Sequence, residues 1–320
     1  MPTLNMSDQM TALEIVKRAN APDPFKIIEI MGLTNEFLLD VPAYEANSGV
    51  VNKTLQRSTV PLGEHRIYNR GVGRVATQTD IVTDRVAHLG AYSDVDASML
   101  EHSGNKNASR SSEAVGILKG MGLTQAQTIV YGDGDKADEF AGLMYRLNKI
   151  GRNVINAGGT GSSLTSIYLC AVGLDLFHLI YPKGSRTVGV EREDRGLLDV
   201  PDPADAKKMY PVYREYFTAQ YGITVRDPDS VKRIANIAGN INVDDLIDLI
   251  IDARLRLPQG ASTYVLYANL DIHSKLDKAA RDRGNVIYSA TDPWGRPITQ
   301  VRDMRIRRMD VIENTEEQVA

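Results

Sequence analysis

Apolar positions in the chain follow two periods, and each marks a different kind of element. Val115, Leu118, Gly122, Ala126 and Ile129 fall at i, i+3, i+7, i+11 and i+14, one narrow stripe that predicts a long helix over Ser109–Tyr131. Asn107 or Ser109 can cap it, and Gly132 or Gly134 can close it in a left-handed conformation. Gly116, Gly120 and Gly122 weaken such a helix by about 1 kcal/mol each relative to Ala, a cost best tolerated where another backbone comes close. A second helix runs from an Asn242 cap to Leu257. Asp244 and Asp245 stand in its first turn, Arg254 and Arg256 in its last, and Pro258 follows. Its stripe of Val243, Leu246, Ile247, Ile250 and Leu257 is broadened by Leu249, Ile251 and Leu255, which predicts deep burial. Shorter helices are expected over Asp138–Lys149 and over Asp271–Arg283, the latter stopped by Gly284.

Strand-length runs lie between these helices. Ile81–Ser93 leads into the long helix, and Ser163–Val172 and Phe177–Tyr181 are apolar runs joined by Gly173–Leu176. Thr187–Glu191, Tyr213–Tyr221, Ile223–Arg226 and Ser262–Tyr267 complete a β-rich region. Ile298–Ile312 reads as a final strand whose apolar phase slips near Arg307-Arg308, as at a bulge. The acidic tail with Glu313, Glu316 and Glu317 reads as solvated. Strands and helices do not alternate as βαβ units, so the fold class is α+β.

Two segments have pattern but no core. Met1–Asn47 carries Ile15 and Ala19 and then, past Pro22 and Pro24, Phe25, Ile28, Met31, Phe37 and Leu38, enough for two short helical stretches. Val50–Val60, a Pro61-Leu62-Gly63 turn and His65–Val75 read as a long projecting hairpin. Charge sharpens the contrast. The arm has three basic and seven acidic residues, and the hairpin has Lys53, Arg57, Arg66, Arg70 and Arg74 against Glu64 alone. Ordering two such segments is costly unless they bury surface against another molecule. Their opposite signs point to copies of the same chain.

Composition removes other classes. With 320 residues and a net charge of −4, the chain has the size for a substantial core and lacks the positive excess of a dedicated nucleic-acid binder. A lone Cys170 excludes an internal disulfide framework, a Cys-based zinc site and a CxxC redox site. No run approaches the roughly 18 apolar residues of a membrane helix. The N-terminus has no secretory pattern, so a soluble protein of a reducing compartment is expected. Gly158-Gly159-Thr160-Gly161-Ser162-Ser163 resembles a phosphate cradle but has no Walker lysine and precedes a strand; it reads as a turn. Asp133, Asp135, Asp138 and Glu139 lack the terminal bidentate Glu of a calcium loop. The five histidines show no ligand spacing, and His178 reads as a core residue. Trp294 reads as a packed turn. No catalytic, metal or cofactor site emerges.

The order of parts resembles tailed-bacteriophage major capsid proteins of the Hong Kong 97 type, and more narrowly the podovirus Gp7-like capsid family. The runs that carry it are Thr34-Asn35-Glu36, Tyr68-Asn69-Arg70-Gly71-Val72, Ser112-Glu113-Ala114 with Tyr131-Gly132, and Glu139-Phe140-Ala141-Gly142-Leu143. Then come Asn156-Ala157-Gly158-Gly159-Thr160-Gly161, Thr165-Ser166-Ile167-Tyr168, Ile180-Tyr181-Pro182-Lys183-Gly184-Ser185 and Val231-Lys232-Arg233-Ile234-Ala235-Asn236-Ile237.

The resemblance implies an N-arm (1–47), an extended E-loop (48–77) and a peripheral P-domain with a spine helix (78–161). An axial A-domain (162–283) and a return to the P-domain with the tail (284–320) follow, the P-domain sheet holding both Ile81–Ser93 and Ile298–Ile312. It implies hexamers and pentamers of this chain in an icosahedral shell around double-stranded DNA, without cofactor or catalysis. Portal and scaffolding proteins, and a decoration protein in some relatives, are the further partners. The place is the virion, after assembly in the host bacterial cytoplasm. The short arm suggests a separate scaffolding protein. Lys53 is the hairpin's one Lys, but the Asn and Glu of a crosslink have no match, so none is expected. Lys53, Arg57, Arg66, Arg70 and Arg74 are the expected inter-subunit contacts. Two rival readings are a cellular nanocompartment shell of the same fold and a small-molecule transferase using Gly158–Ser163.

Overall fold

Strand β6 (Leu164–Val172) is buried along its whole length, which is why its sequence shows no polar alternation. It is flanked antiparallel by β10 (Val231–Ala238) and β11 (Thr263–Ala268). Beyond these, β5 (Val154–Asn156) joins β10 in parallel and β14 (Met304–Arg308) joins β11 in parallel. Ile167, Leu169 and Ala171 face two helices, α5 (Val243–Leu255) and α6 (Leu270–Arg283), in one core with Leu246, Ile250 and Leu276. Tyr168, Cys170 and Val172 face a second core with Phe37, Val265 and Tyr267. The computed structural model describes residues 35–59, 61–102, 106–185, 190–202, 204–205, 207–283, 288–289 and 298–320. The arm before Asn35, positions 187–189, Gly284 and Trp294 lie outside the described residues.

The remaining elements precede or flank this sheet. Helix α1 (Phe37–Asp40) and strand β1 (Ala43–Glu45) bring the arm's end to β7 (Phe177–Tyr181), which β1 pairs in parallel. Strands β2 (Val51–Thr59) and β3 (Gln78–Arg85) form a separate two-stranded sheet. Strand β4 (Ala87–Asp96), helix α2 (Ala97–His102), the 26-residue helix α3 (Lys106–Tyr131) and helix α4 (Leu143–Arg146) follow. The 17-residue β9 (Met209–Val225) links the two halves. Its C-terminal end pairs with β7, and the rest lies between β4 and β8 (Val190–Pro201) in an antiparallel layer. Helix α3 packs on β4, and Leu118, Met121 and Ile129 join Phe217, Ala219 and Tyr221 in the second core.

Several expectations are corrected. The hairpin exists, but its returning strand is Gln78–Arg85 rather than His65–Val75, and residues 61–77 connect the strands without pairing. Ile81–Ser93 is therefore two strands in two different sheets. Tyr213–Tyr221 and Ile223–Arg226 are one strand instead of two, and it ends at Val225. The final run is a hairpin of β13 (Ile298–Val301) and β14, turning at Arg302 with φ +57°; the phase slip marks the end of β14 at Arg308. Its partner is β11, and it shares one twelve-stranded sheet with β4, at the opposite end of the strand order. Helix α5 buries only one face, leaving Leu255 exposed. Gly116 and Gly120 are exposed, and a Cβ at either would meet open space, so no backbone among the described residues accounts for them. Gly132 is not left-handed; a Cβ there would strike the carbonyls of Thr128 and Phe140. Glu316 is buried, against the expected solvated tail.

A candidate assembly surface

The β2–β3 hairpin has two unlike faces because β residues alternate. At its base Asn52, Thr54 and Asp84 point inward and are buried. Asn52 Nδ2 donates to Thr224 Oγ1 at 3.1 Å, and Gln56 Nε2 to the Val225 carbonyl at 2.7 Å. Arg146 Nη2 bonds Asp84 Oδ1 at 2.6 Å, and Arg85 Nη2 reaches the Gly134 carbonyl at 2.5 Å. The hairpin is thus fastened to the body by directional polar bonds, a device that sequence reasoning missed because its partners lie more than 45 residues apart.

Away from this base the apolar residues find no cover. Leu55, Ile67 and Ile81 are more than half exposed, Leu62 is 85% exposed and Tyr68 95%. Single exposed apolar side chains are ordinary, whereas a concentration on one projecting element marks an interaction surface. The cations share this surface. Lys53 is exposed on β2, its backbone tied to Asn47 in both directions. Arg66, Arg70 and Arg74 lie exposed on the connecting segment, and Arg66 Nε donates to the Arg70 carbonyl at 3.0 Å. Among the described residues no carboxylate pairs with Lys53, Arg66, Arg70 or Arg74, although arginines elsewhere pair freely, as Arg214 does with Asp94. The Arg57 side chain lies outside the described residues. The structure therefore gathers Arg66 with Arg70 on the segment that carries Arg74, and leaves Lys53 apart on the strand.

The other candidates stay apart from any reactive arrangement. Gly158 and Gly161 take positive φ in a loop that leads into β6 and not into a helix. Asp133, Asp135 and Glu139 satisfy one another's backbone, Tyr145 and Lys136. Among the described residues no His, Cys, Asp and Glu grouping fits a metal ion. Burial pushes the Cys170 thiol well above its ordinary range. His178 is buried edge-on to Tyr44 at 5.1 Å, and burial, aided by Arg226, depresses its pKa to about 4. A histidine held neutral in the fold binds its proton first in the unfolded chain. Stability is then complete above about pH 6.5 and falls as pH drops toward 4, by on the order of 3 kcal/mol. Urea titrations across this range are expected to show that loss, and His178→Gln to remove most of it; an unchanged slope would contradict the assignment.

Comparison with known proteins adds to this geometry. The sequence profile described as Major capsid protein GP7 matches residues 20–320. A chain of the near-atomic-resolution structure of bacteriophage Epsilon15 superposes with a TM-score of 0.69 at 29% identity, covering 88% of each chain. The capsid chain of bacteriophage JBD30 superposes with a TM-score of 0.50 at 12% identity, covering 87% of this chain and 91% of its own, a likeness of fold. No curated protein sequence matches.

Proposed function

The chain belongs to the Major capsid protein GP7 family, and from that premise we propose how it builds a shell. It has the Hong Kong 97-type fold that the order of motifs implied. The observation that carries the reading is the β2–β3 hairpin with its connecting segment, where Leu55, Leu62, Ile67 and Tyr68 are exposed and, among the described residues, no carboxylate pairs with Lys53, Arg66, Arg70 or Arg74. We assign Lys53, Arg57, Arg66, Arg70 and Arg74 to contacts with carboxylates of a neighbouring subunit. Exposed ion pairs supply only about 0–1 kcal/mol each, so the cations set register while Leu62, Ile67 and Tyr68 supply the burial. Within this reading 1–47 is the N-arm, 48–77 the E-loop, and α3 the spine helix of the P-domain. Hexamers and pentamers of the chain close an icosahedral shell around double-stranded DNA, with portal and scaffolding proteins as partners and a decoration protein as a further one. Assembly takes place in the host bacterial cytoplasm. The role is structural, without catalysis, and the near-neutral net charge suits a container that holds DNA loosely.

Reversing three of the cations tests this. Arg66→Glu, Arg70→Glu and Arg74→Glu together replace attraction by repulsion, a change of up to about 2 kcal/mol per contact. Particle yield is expected to fall at least about tenfold, with the melting temperature of the subunit unchanged because these side chains touch no core. Native yield from the triple variant would remove the cations from the interface.

A further inference from the structure

Residues 309–320 follow the last strand and cross the body without joining a ladder; one isolated bridge, Leu164 with Glu316, is their strand-like contact. Three separate backbone bonds hold them, Met309 N–H to the Ala268 carbonyl, Glu316 N–H to the Leu164 carbonyl and Ile150 N–H to the Ala320 carbonyl, and side chains of the body do the rest. Glu316 is 6% exposed and Arg233 is fully buried, the largest fully buried side chain among the described residues. Arg233 Nη2 donates to Glu316 Oε2 at 2.9 Å, and Ser166 Oγ donates to the same oxygen. Arg233 Nε donates to Ser166 Oγ at 2.9 Å and Nη1 to the Leu147 carbonyl at 2.8 Å. On the other side Tyr131 OH donates to Glu316 Oε1 at 2.8 Å and accepts from the Glu313 backbone N–H at 2.8 Å. Burial, and then the Glu316 carboxylate, raise the Tyr131 hydroxyl far above its ordinary range, so it keeps its proton.

A second receptor lies on β10. Asn236 holds a left-handed φ of +60° at a break in the β10–β6 register. Its amide clamps one residue, donating to the Val319 carbonyl at 2.9 Å and accepting from the Val319 N–H at 2.8 Å. A non-glycine in this conformation is strained and persists only where its surroundings demand it. With residues 309–320 lifted away, Asn236 would keep its bond to Asn156 Oδ1 and lose both bonds to Val319. Arg233 would then be a buried cation without a counter-ion, a strongly unfavourable state.

We propose that residues 309–320 form a strap that docks and releases as one unit, fastened by Glu316, and that its closure locks the end of helix α3 to strands β6 and β10. Tyr131 is the last residue of α3, Ser166 is on β6 and Arg233 on β10, so one carboxylate ties three elements from different parts of the chain. Because the strap adds Met309, Ile312 and Val319, with half-buried Val311, to the core and no ladder, it comes away without breaking a strand. This is a property of the single subunit and stands apart from shell formation.

Amide hydrogen exchange on the full chain tests it, comparing native protein with Glu316→Ala and, as a control on the exposed neighbour, Glu317→Ala. Exchange in 313–320 and at the end of α3 (128–132) is expected to rise at least about tenfold in Glu316→Ala, with β6 and β11 as protected as before. Glu317→Ala is expected to match native. Native-like protection in Glu316→Ala, or an equal rise over β6, β9 and β11, would overturn the proposal. Should Glu316→Ala not fold, Asn236→Gly keeps the left-handed backbone while removing the clamp. Its exchange should rise across 313–320, as in Glu316→Ala; no rise, a rise confined to 317–320, or a rise everywhere would be equally fatal.

Discussion

Replacing residues 60–77 by Asn-Gly is expected to leave a folded subunit whose yield of closed particles falls at least about a hundredfold. The register makes the replacement possible. Thr59 already opposes Gln78, so a two-residue type I′ turn can close β2 onto β3 without disturbing the pairs below. The polar base, Asn52 on Thr224 and Asp84 on Arg146, stays in place and keeps the shortened hairpin attached. What is lost is surface with no use inside the subunit: Leu62, Ile67, Tyr68, Val72 and Val75 with three arginines. Burying one large apolar side chain contributes about 1.5–3 kcal/mol, so even two of them exceed the hundredfold expected. Size-exclusion chromatography and electron microscopy read the yield, and circular dichroism the fold. Particles at native yield would show that the connecting segment is dispensable.

Gly132→Ala is expected to destabilise the subunit by about 3 kcal/mol, the upper part of the range for overpacking. The Gly132 N–H closes the last turn of α3 on the Thr128 carbonyl at 2.8 Å, and its own carbonyl accepts from the Gly142 N–H at 2.8 Å. A Cβ on Gly132 would lie 2.5 Å from the Phe140 carbonyl oxygen and still nearer that of Thr128. A Cβ on Gly142 would lie 2.6 Å from the Gly132 nitrogen. These are backbone atoms, so no rotamer change relieves them. Gly116→Ala and Gly120→Ala are the internal contrast, because open space surrounds both. Each is expected to raise stability by up to about 1 kcal/mol through helix propensity alone. Chemical denaturation of the three variants measures both signs. A stable Gly132→Ala would mean that the two backbones are not in contact.

The contrast between these glycines shows what the sequence could and could not convey. Three glycines in one helix look alike in sequence, and a glycine after a helix looks like a left-handed cap. Only the return of the chain at Phe140–Gly142 shows that Gly132 serves a close approach. Elements with a fully apolar run or a capped amphipathic stripe were legible: β6, β7, β11, α3, α5 and α6 lie within a few residues of their expected positions. The returning strand β3 was not. Ile67, Val72 and Val75 look like strand residues, but they are apolar and exposed on the connecting segment. Gln78–Arg85 looks polar because its outward face meets solvent and its inward Asp84 meets Arg146. Glu316 was misread for a related reason: an acidic tail reads as solvated unless its cation is known, and Arg233 is 83 residues away. The runs that carried the family resemblance do contain Tyr131, Ser166 and Arg233, yet nothing in their spacing shows that they converge on one carboxylate.

The central claim is that the exposed hairpin is completed only by other copies of this chain, and electron micrographs of the purified protein over a range of concentrations test it most directly. Closed icosahedral shells of uniform diameter, with hairpin density lying across a neighbouring subunit, are the expected result. A lone compact particle at every concentration, with residues 61–77 packed on their own body, would contradict it.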